Sequence, residues 1–449
     1  MKYLRKNWLF GLMVLFLFLL AACSSGDSGS ETTSTGGSDN SSDSENENEE
    51  RTVTIQVGNS ETAQLQFEAL AADIKEKYNI TTKFDWVPTG GEGDNLVKTR
   101  LAVGEMADLL VYNSGSLFKA LNPSEYFVDL SEEPFMERVV DTFQEATSDE
   151  SGTYGVPVGT SLAGAIIYNK AVYEELGLKV PHTWEEFIAN NEVVKEAGEI
   201  IPVIAPYQDT YTSQIIFLAD YYNVHSENPE FAELYTTNQA KIADTPIVRR
   251  GFEKTAELYE KGFYNDEASS TPYTKGAEMI ANGEAAHFPM LTSILPYIQD
   301  NFSDSIDDIG VFGVPGDDPE NHGITLWLPS GLYINKDAED IEAAKIWAEY
   351  MVSDEGVQTL MSVAEPVGPP VVEGIELPED SFEAVKETMT YIDSGNVASA
   401  LEFYSPLKGP NLEHILIEVG LGMISAQEGA EKYDKDVEKQ AQQLDLEGW

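Results

Sequence analysis

The sequence predicts an α/β protein built as two lobes, and three observations carry that reading. Val53, Ile55 and Val57 alternate as a half-buried strand does. Phe67, Leu70, Ala71, Ile74 and Tyr78 then recur at helical spacing before a second strand over 80–86. Strands and helices keep alternating to the carboxyl terminus without an internal repeat. The stretch from Arg51 to Trp449 is about 400 residues, more than one hydrophobic core supports.

The elements follow in order. Gly58-Asn59-Ser60-Glu61 turns the first strand into its helix, and 108–112 reads as a third strand. Strand, helix and strand with short connections imply a parallel sheet with a right-handed crossover. Ligands of such open sheets bind beyond the carboxyl ends of the strands, so the loops at 60–61, 86–93 and 113–115 face a site. A second region opens near Tyr154. Gly155-Val156-Pro157-Val158 runs through Gly159-Thr160-Ser161 into a strand over 165–168. A helix over 171–176 stops at Gly177, Pro181 bars its continuation, and Thr183 with Glu186 forms the capping box of the next. Residues 276–290 pass from helix to strand. Strands over 309–312 and 331–334 follow, then a helix with Ile341, Ala344, Ala348 and Met351 on one face. Helices over 412–424 and 429–444 close the chain.

Asp and Glu outnumber Lys and Arg 78 to 27, a formal charge of −51. So acidic a surface repels phosphate backbones and anionic lipids, which excludes nucleic acid as a partner. It suits solubility in a saline or alkaline exterior. Cys23 is the only cysteine, so no disulfide forms within the chain.

At the amino end Lys2, Arg5 and Lys6 precede an apolar run over 8–20, shorter than the roughly 20 residues a membrane span needs. Leu20-Ala21-Ala22-Cys23 resembles the bacterial lipobox. The resemblance implies a signal peptide over 1–22 and acyl chains on Cys23, a pair of which anchors firmly where one is marginal. Ser24 to Glu50 contains no apolar, aromatic or basic side chain, so 23–50 reads as the lipidated cysteine and a disordered acidic tether. Its reach is roughly 30 Å. The expected place is the extracellular face of the cytoplasmic membrane of a Gram-positive bacterium.

Ile167-Tyr168-Asn169-Lys170, Leu176-Gly177-Leu178, Pro181 and Thr183-Trp184-Glu185-Glu186-Phe187 resemble the signature of the family 1 extracellular solute-binding proteins, the maltose-binding-protein-like group. Three further segments agree in order: 275–290, Val311 to Gly316, and 331–336 with Ala343-Ala344-Lys345-Ile346-Trp347 and Ser353-Asp354-Glu355-Gly356. The resemblance spans roughly 51–449 and implies a periplasmic-binding-protein-like fold of class II type. One lobe would comprise 51–158 plus 331–390, the other 163–326 plus 395–449, with hinges near 159–163, 325–330 and 386–395. It also implies a monomer that hands a sugar to the transmembrane permease subunits of an ABC importer, with no cofactor, metal or catalysis.

A sugar presents hydroxyls around an apolar ring face, so its site needs hydrogen-bonding side chains and aromatic platforms. Of the six tryptophans, Trp86 at a strand end and Trp327 in the second crossover are placed to serve; packing in the core is the alternative for each. Tyr207 and Tyr211 fall in a segment resembling the family's cleft loop. Glu61, Asn113 and Ser114 match its first-lobe binding loops in position, and Thr160 and Ser161 its first crossover. Met290 stands where the family's aromatic-rich stretch begins, and Glu365, Tyr404 and Asn411 lie in loops that reach the cleft in relatives. The basic and acidic residues that the group's sugar binder keeps in those first-lobe loops are absent, which points away from maltodextrin.

Enzyme chemistry finds little support. Gly159-Thr160-Ser161-Leu162-Ala163-Gly164 has one residue too many for a nucleophile elbow. The five histidines are scattered, His287 reads as structural, and Gly90-Gly91-Glu92-Gly93 lacks the Lys-Ser/Thr of a phosphate loop. The expected function is sugar capture by hinge closure, with an oligosaccharide preferred. The alternatives are the same fold holding a polyamine, metal chelate or peptide, and a secreted glycoside hydrolase.

Overall fold

Two sheets organise the chain, each built around a strand whose residues bury on both faces. The computed structural model describes residues 50–444, 446, 448 and 449; the predicted signal peptide, Cys23 and all but the last residue of the tether lie outside them. β1 (Arg51–Gly58) turns Val53, Ile55 and Val57 into the first core and Gln56 to the opposite face. α1 (Glu61–Tyr78) starts at Ser60, whose Oγ accepts the Ala63 N–H at 3.1 Å, and buries Phe67, Leu70 and Ile74 on one face. β2 (Ile80–Val87), α2 (Gly90–Val103) and β3 (Leu109–Tyr112) complete the parallel unit that the alternation predicts.

Ten strands follow. β4 (Ser148–Asp149) and β5 (Gly152–Thr153) pair with each other. Then come β6 (Gly155–Pro157), β7 (Leu162–Asn169), β8 (Ile201–Val203), β9 (Ala285–Leu291), β10 (Ile309–Phe312), β11 (Ile324–Trp327), β12 (Gly331–Ile334) and β13 (Val397–Ser399). The first sheet runs β2-β1-β3-β12-β6, its last two strands joining antiparallel. The second runs β13-β11-β7-β9-β8, with β10 also on β7. β7 is a continuous buried run from Ala163 to Asn169 because it has strands on both sides.

The chain passes between sheets at 158–161 and again at 328–330. The third passage differs from the expectation of 386–395. The helix Glu383–Ser394 already packs on the second sheet, where Phe382, Val385 and Tyr391 enter the core and Glu387 accepts the Val311 N–H at 2.7 Å. The passage therefore lies upstream, within 364–381, and the first lobe's returning segment ends before 390. A helix follows the sheet that fills its apolar face, which the resemblance did not specify.

Trp347, fully buried, stacks on Phe67 with centroids 6.4 Å apart in the first core; truncating it would cost about 3–5 kcal/mol. In the second lobe the predicted Thr183–Glu186 capping box forms, and Trp184 Nε1 donates to Glu257 at 2.8 Å. The final helix runs Ala426–Gln443, starting before the predicted 429 because Ser425 and Glu428 make a second capping box. His287 is fully buried. Its Nδ1 faces the Pro202 carbonyl at 2.8 Å and its Nε2 the Tyr173 hydroxyl at 2.6 Å, so the neutral ring is satisfied on both sides. Among the described residues no helix is long and apolar enough to cross a membrane.

Candidate binding groove

The two passages between the sheets lie side by side and form the floor of a groove. The Val158 N–H donates to Ser330 at 2.8 Å, Ser114 Oγ to the Pro329 carbonyl at 2.7 Å, and Ser161 Oγ to Pro369 at 2.8 Å. These bonds lace all three passages to one another and to the first lobe.

Three adjoining compartments make up the groove. The middle one, about 310 Å³, opens at the carboxyl ends of β1, β2 and β3, between Gln56, Gln66, Asp94 and Asn113. It shares Asn113 and Ser330 with a compartment of about 350 Å³, walled by Ser116, Leu117, Trp327, Glu402, Lys408 and Gln440. On the other side it shares Gln66 and Val158 with one of about 540 Å³, walled by Thr62, Leu65, Thr160, Ser293 and Glu365. Residues of both lobes line each of the two outer compartments, so a ligand lying there touches both.

Trp327 is the aromatic centre of this arrangement. Its Nε1 donates to Glu402 Oε1 at 2.8 Å, and Lys408 Nζ meets Oε2 at 2.8 Å, so the carboxylate is balanced locally. The indole lies against Gly164 of β7, where a Cβ would come within 2.2 Å of it. Phe403 bridges from the second lobe to the first, its ring resting on Gly115. Tyr112 is buried beside the middle compartment; burial and the nearby Asp94 push its pKa well up, so it stays a protonated donor. Partial burial, with Asp380 adding, raises Glu365 above the ordinary carboxylate range.

Among the predicted ligand contacts, Asn113, Ser114, Thr160, Trp327 and Glu365 line these compartments. Glu61 is exposed at the start of α1, next to the lining residue Thr62. Several others do not line these compartments and make contacts elsewhere in the fold. Trp86 stacks on Phe84 at 5.0 Å against the first core. Ser161 is fully buried, with its hydroxyl committed to Pro369. Tyr207 packs under Tyr264 and Gly420, and Tyr211 beside Tyr273. Met290 is core on β9, Tyr404 stacks on His225 at 5.5 Å, and Asn411 binds Asp436 at 2.6 Å. Sequence reasoning missed Gln56, Gln66, Asp94, Glu402, Lys408 and Gln440. Lys408 sits in a loop and the others in unremarkable helices or strands, and only pairing across the fold brings each to the groove. Among the described residues no cluster of three metal-binding side chains occurs.

Two α/β lobes joined by several passages over a shared groove define a solute-binding protein of the two-lobed type. The sequence pattern described as bacterial extracellular solute-binding protein matches residues 58–358, and the chain belongs to that family, whose members bind solutes rather than transform them. The multiple sugar-binding protein of Streptococcus mutans is 24% identical over 294 residues, 64% of this chain and 68% of that one. A Bacillus subtilis binding protein, MsmE, solved in an open conformation, superposes with a TM-score of 0.73 at 16% identity, over 88% of this chain and 99% of that one. RafE from Streptococcus pneumoniae in its apo form gives 0.73 at 20% identity, over the same shares. RafE in complex with raffinose gives 0.69 at 21%. These likenesses establish the fold.

Proposed function

We propose that this protein is the lipid-anchored substrate-binding component of an ABC importer and captures an oligosaccharide by closing its lobes around it. The observation that carries the reading is the groove: three adjoining compartments, lined by amides and hydroxyls, with one anchored indole. Length across the compartments suits several linked rings better than one. Carboxylates are spread singly, Asp94, Glu365 and Glu402 falling in different compartments, and Glu402 is paired with Lys408. That distribution disfavours a polyamine, which needs clustered negative charge. The sugar-binding relative from Streptococcus mutans and the raffinose complex of RafE support the same ligand class.

Asn113, Ser114, Thr160, Trp327 and Glu365 are the proposed contacts, with Glu61 at the rim. Closure would bend the passages at 158–161, 328–330 and 364–381, trapping the ligand without chemistry. Acyl chains on Cys23 would hold the monomer at the extracellular membrane face, within reach of its permease; Cys23→Ala should then release it into the medium.

Isothermal titration against raffinose, stachyose, mannobiose, chitobiose, galactose and spermidine tests the ligand class. A dissociation constant near micromolar, about −8 kcal/mol, for one of the oligosaccharides is expected. Binding of spermidine with silence from every sugar would overturn the reading.

A further inference from the structure

Gln56 lies on β1 between Asp85 of β2 and Leu110 of β3, and its side chain is 1% exposed. Its Oε1 accepts from Arg100 Nη1 on α2, and the same nitrogen donates to Asp85. That contact fixes the amide. Turned over, its NH₂ would face the donors of the guanidinium. Nε2 therefore points its two protons away from Arg100, and no group among the described residues accepts them. A buried donor left without an acceptor is costly, so such a group calls for an acceptor that the chain does not supply. Gln56 borders the middle compartment of the groove, and so does Tyr112, whose buried hydroxyl lies near Asp94 and Asn113 but makes no well-formed hydrogen bond among the described residues. Two unpaired, protonated donors thus lie at one cavity, on adjacent elements of one sheet.

We propose that Gln56 Nε2 and the Tyr112 hydroxyl donate to an oxygen of the sugar unit seated in the middle compartment and set which sugar is accepted, with Arg100 positioning the Gln56 amide. The assignment rests on the sugar reading of the groove. A site built to bond an oxygen rejects the analogue lacking it, because its own donors are then left unpaired. Asp94 and Asn113 at the same cavity supply acceptors and a further donor for neighbouring hydroxyls.

The test uses the folded protein and, as probe, whichever sugar of the titration panel the wild type binds, together with its mono-deoxy analogues. Gln56→Leu and Tyr112→Phe should each weaken binding tenfold or more, and for Tyr112→Phe the melting temperature should hold or rise, since only a buried hydroxyl has gone. Arg100→Met should weaken binding in the same direction. The wild type should discriminate against one deoxy analogue, and Gln56→Leu should lose that discrimination; a merely structural role would not move it. If Gln56→Leu folds poorly, Tyr112→Phe, which removes a single oxygen, carries the same comparison. Unchanged affinity and discrimination in the folded variants would overturn the assignment and leave the sugar reading intact. A wild type that binds no sugar would overturn both.

Discussion

Trp327 and Glu402, 75 residues apart in sequence, are joined by a 2.8 Å hydrogen bond from the indole Nε1 to the carboxylate. Trp327 ends β11 at a passage between lobes, and Glu402 belongs to the short helix Leu401–Tyr404 of the groove wall. The bond sets the tilt of the one indole that lines a groove compartment among the described residues. Removing an aromatic anchor of this kind costs about 2 kcal/mol or more of binding, so Trp327→Ala should weaken sugar capture at least thirty-fold. Glu402→Ala should cost about 1 kcal/mol, near fivefold, by freeing the ring. Titration calorimetry on both variants checks the order. Equal, wild-type affinity would remove Trp327 from the site.

Gly164 is where β7 makes room for that indole. A Cβ there would sit 2.2 Å from Trp327 Cζ3 and 3.0 Å from the Ala219 methyl. Gly164→Ala should destabilise by about 1–3 kcal/mol through overpacking and shift the tryptophan emission. Adding Trp327→Leu should restore much of the lost melting temperature. No restoration would mean that the strain falls elsewhere in β7.

Lys254 and Asp220 form an ion pair with both side chains 1% exposed. Lys254 also bonds the Pro315 carbonyl, and Asn223 bonds Asp220 and the Val314 carbonyl, so the pair pins the segment after β10. Burial pushes Asp220 up and Lys254 down, while each partner draws the other back toward its charged form. Breaking such a pair from one side costs about 3–5 kcal/mol, because a charge is left buried alone. Lys254→Met should therefore unfold at much lower urea, and Lys254→Met with Asp220→Leu should recover part of the loss. Sugar affinity of the folded variants should not change. A single variant as stable as the wild type would refute the clamp.

His287 ties stability to pH. Desolvation lowers its pKa to about 3, against roughly 6.5 in an unfolded chain. The folded state keeps the ring neutral while the unfolded chain takes up a proton, so this contribution is complete above about pH 6.5 and is lost as pH falls toward 3. The slope approaches 1.4 kcal/mol per pH unit. Burial, with His182 adding, lowers His322 to about 4 and acts in the same direction. Calorimetric melting from pH 7 to 4 should show the decline, and His287→Gln, though less stable at pH 7, should flatten it. Parallel curves for the two proteins would exclude His287 as the source.

The elements that sequence reasoning located best are those with local causes. The alternation at 53–57 and the capping box at Thr183 appear as read, and the face of α1 does so except at Tyr78, which is exposed at the end of the helix, because periodicity and caps act within a few residues. The site was less legible. Asn113, expected from a loop after a strand, and Trp327, expected from the second crossover, line the groove, whereas Tyr207 and Met290 are buried in the core. An aromatic or thioether side chain suits a core and a cleft equally well by its own chemistry. Glu402 and Gln56 gave no signal at all, since one sits among scores of acids and the other inside a strand.

Residue order, then, was enough to establish the α/β alternation, the division into lobes and the acidic surface, all properties summed over neighbours. Folding alone selected which polar groups lose their water and which partners they meet. Arg100 reaches Gln56 across 44 positions and Glu402 reaches Trp327 across 75. Bonds over such distances depend on the packing of helices onto sheets, and no local pattern encodes that.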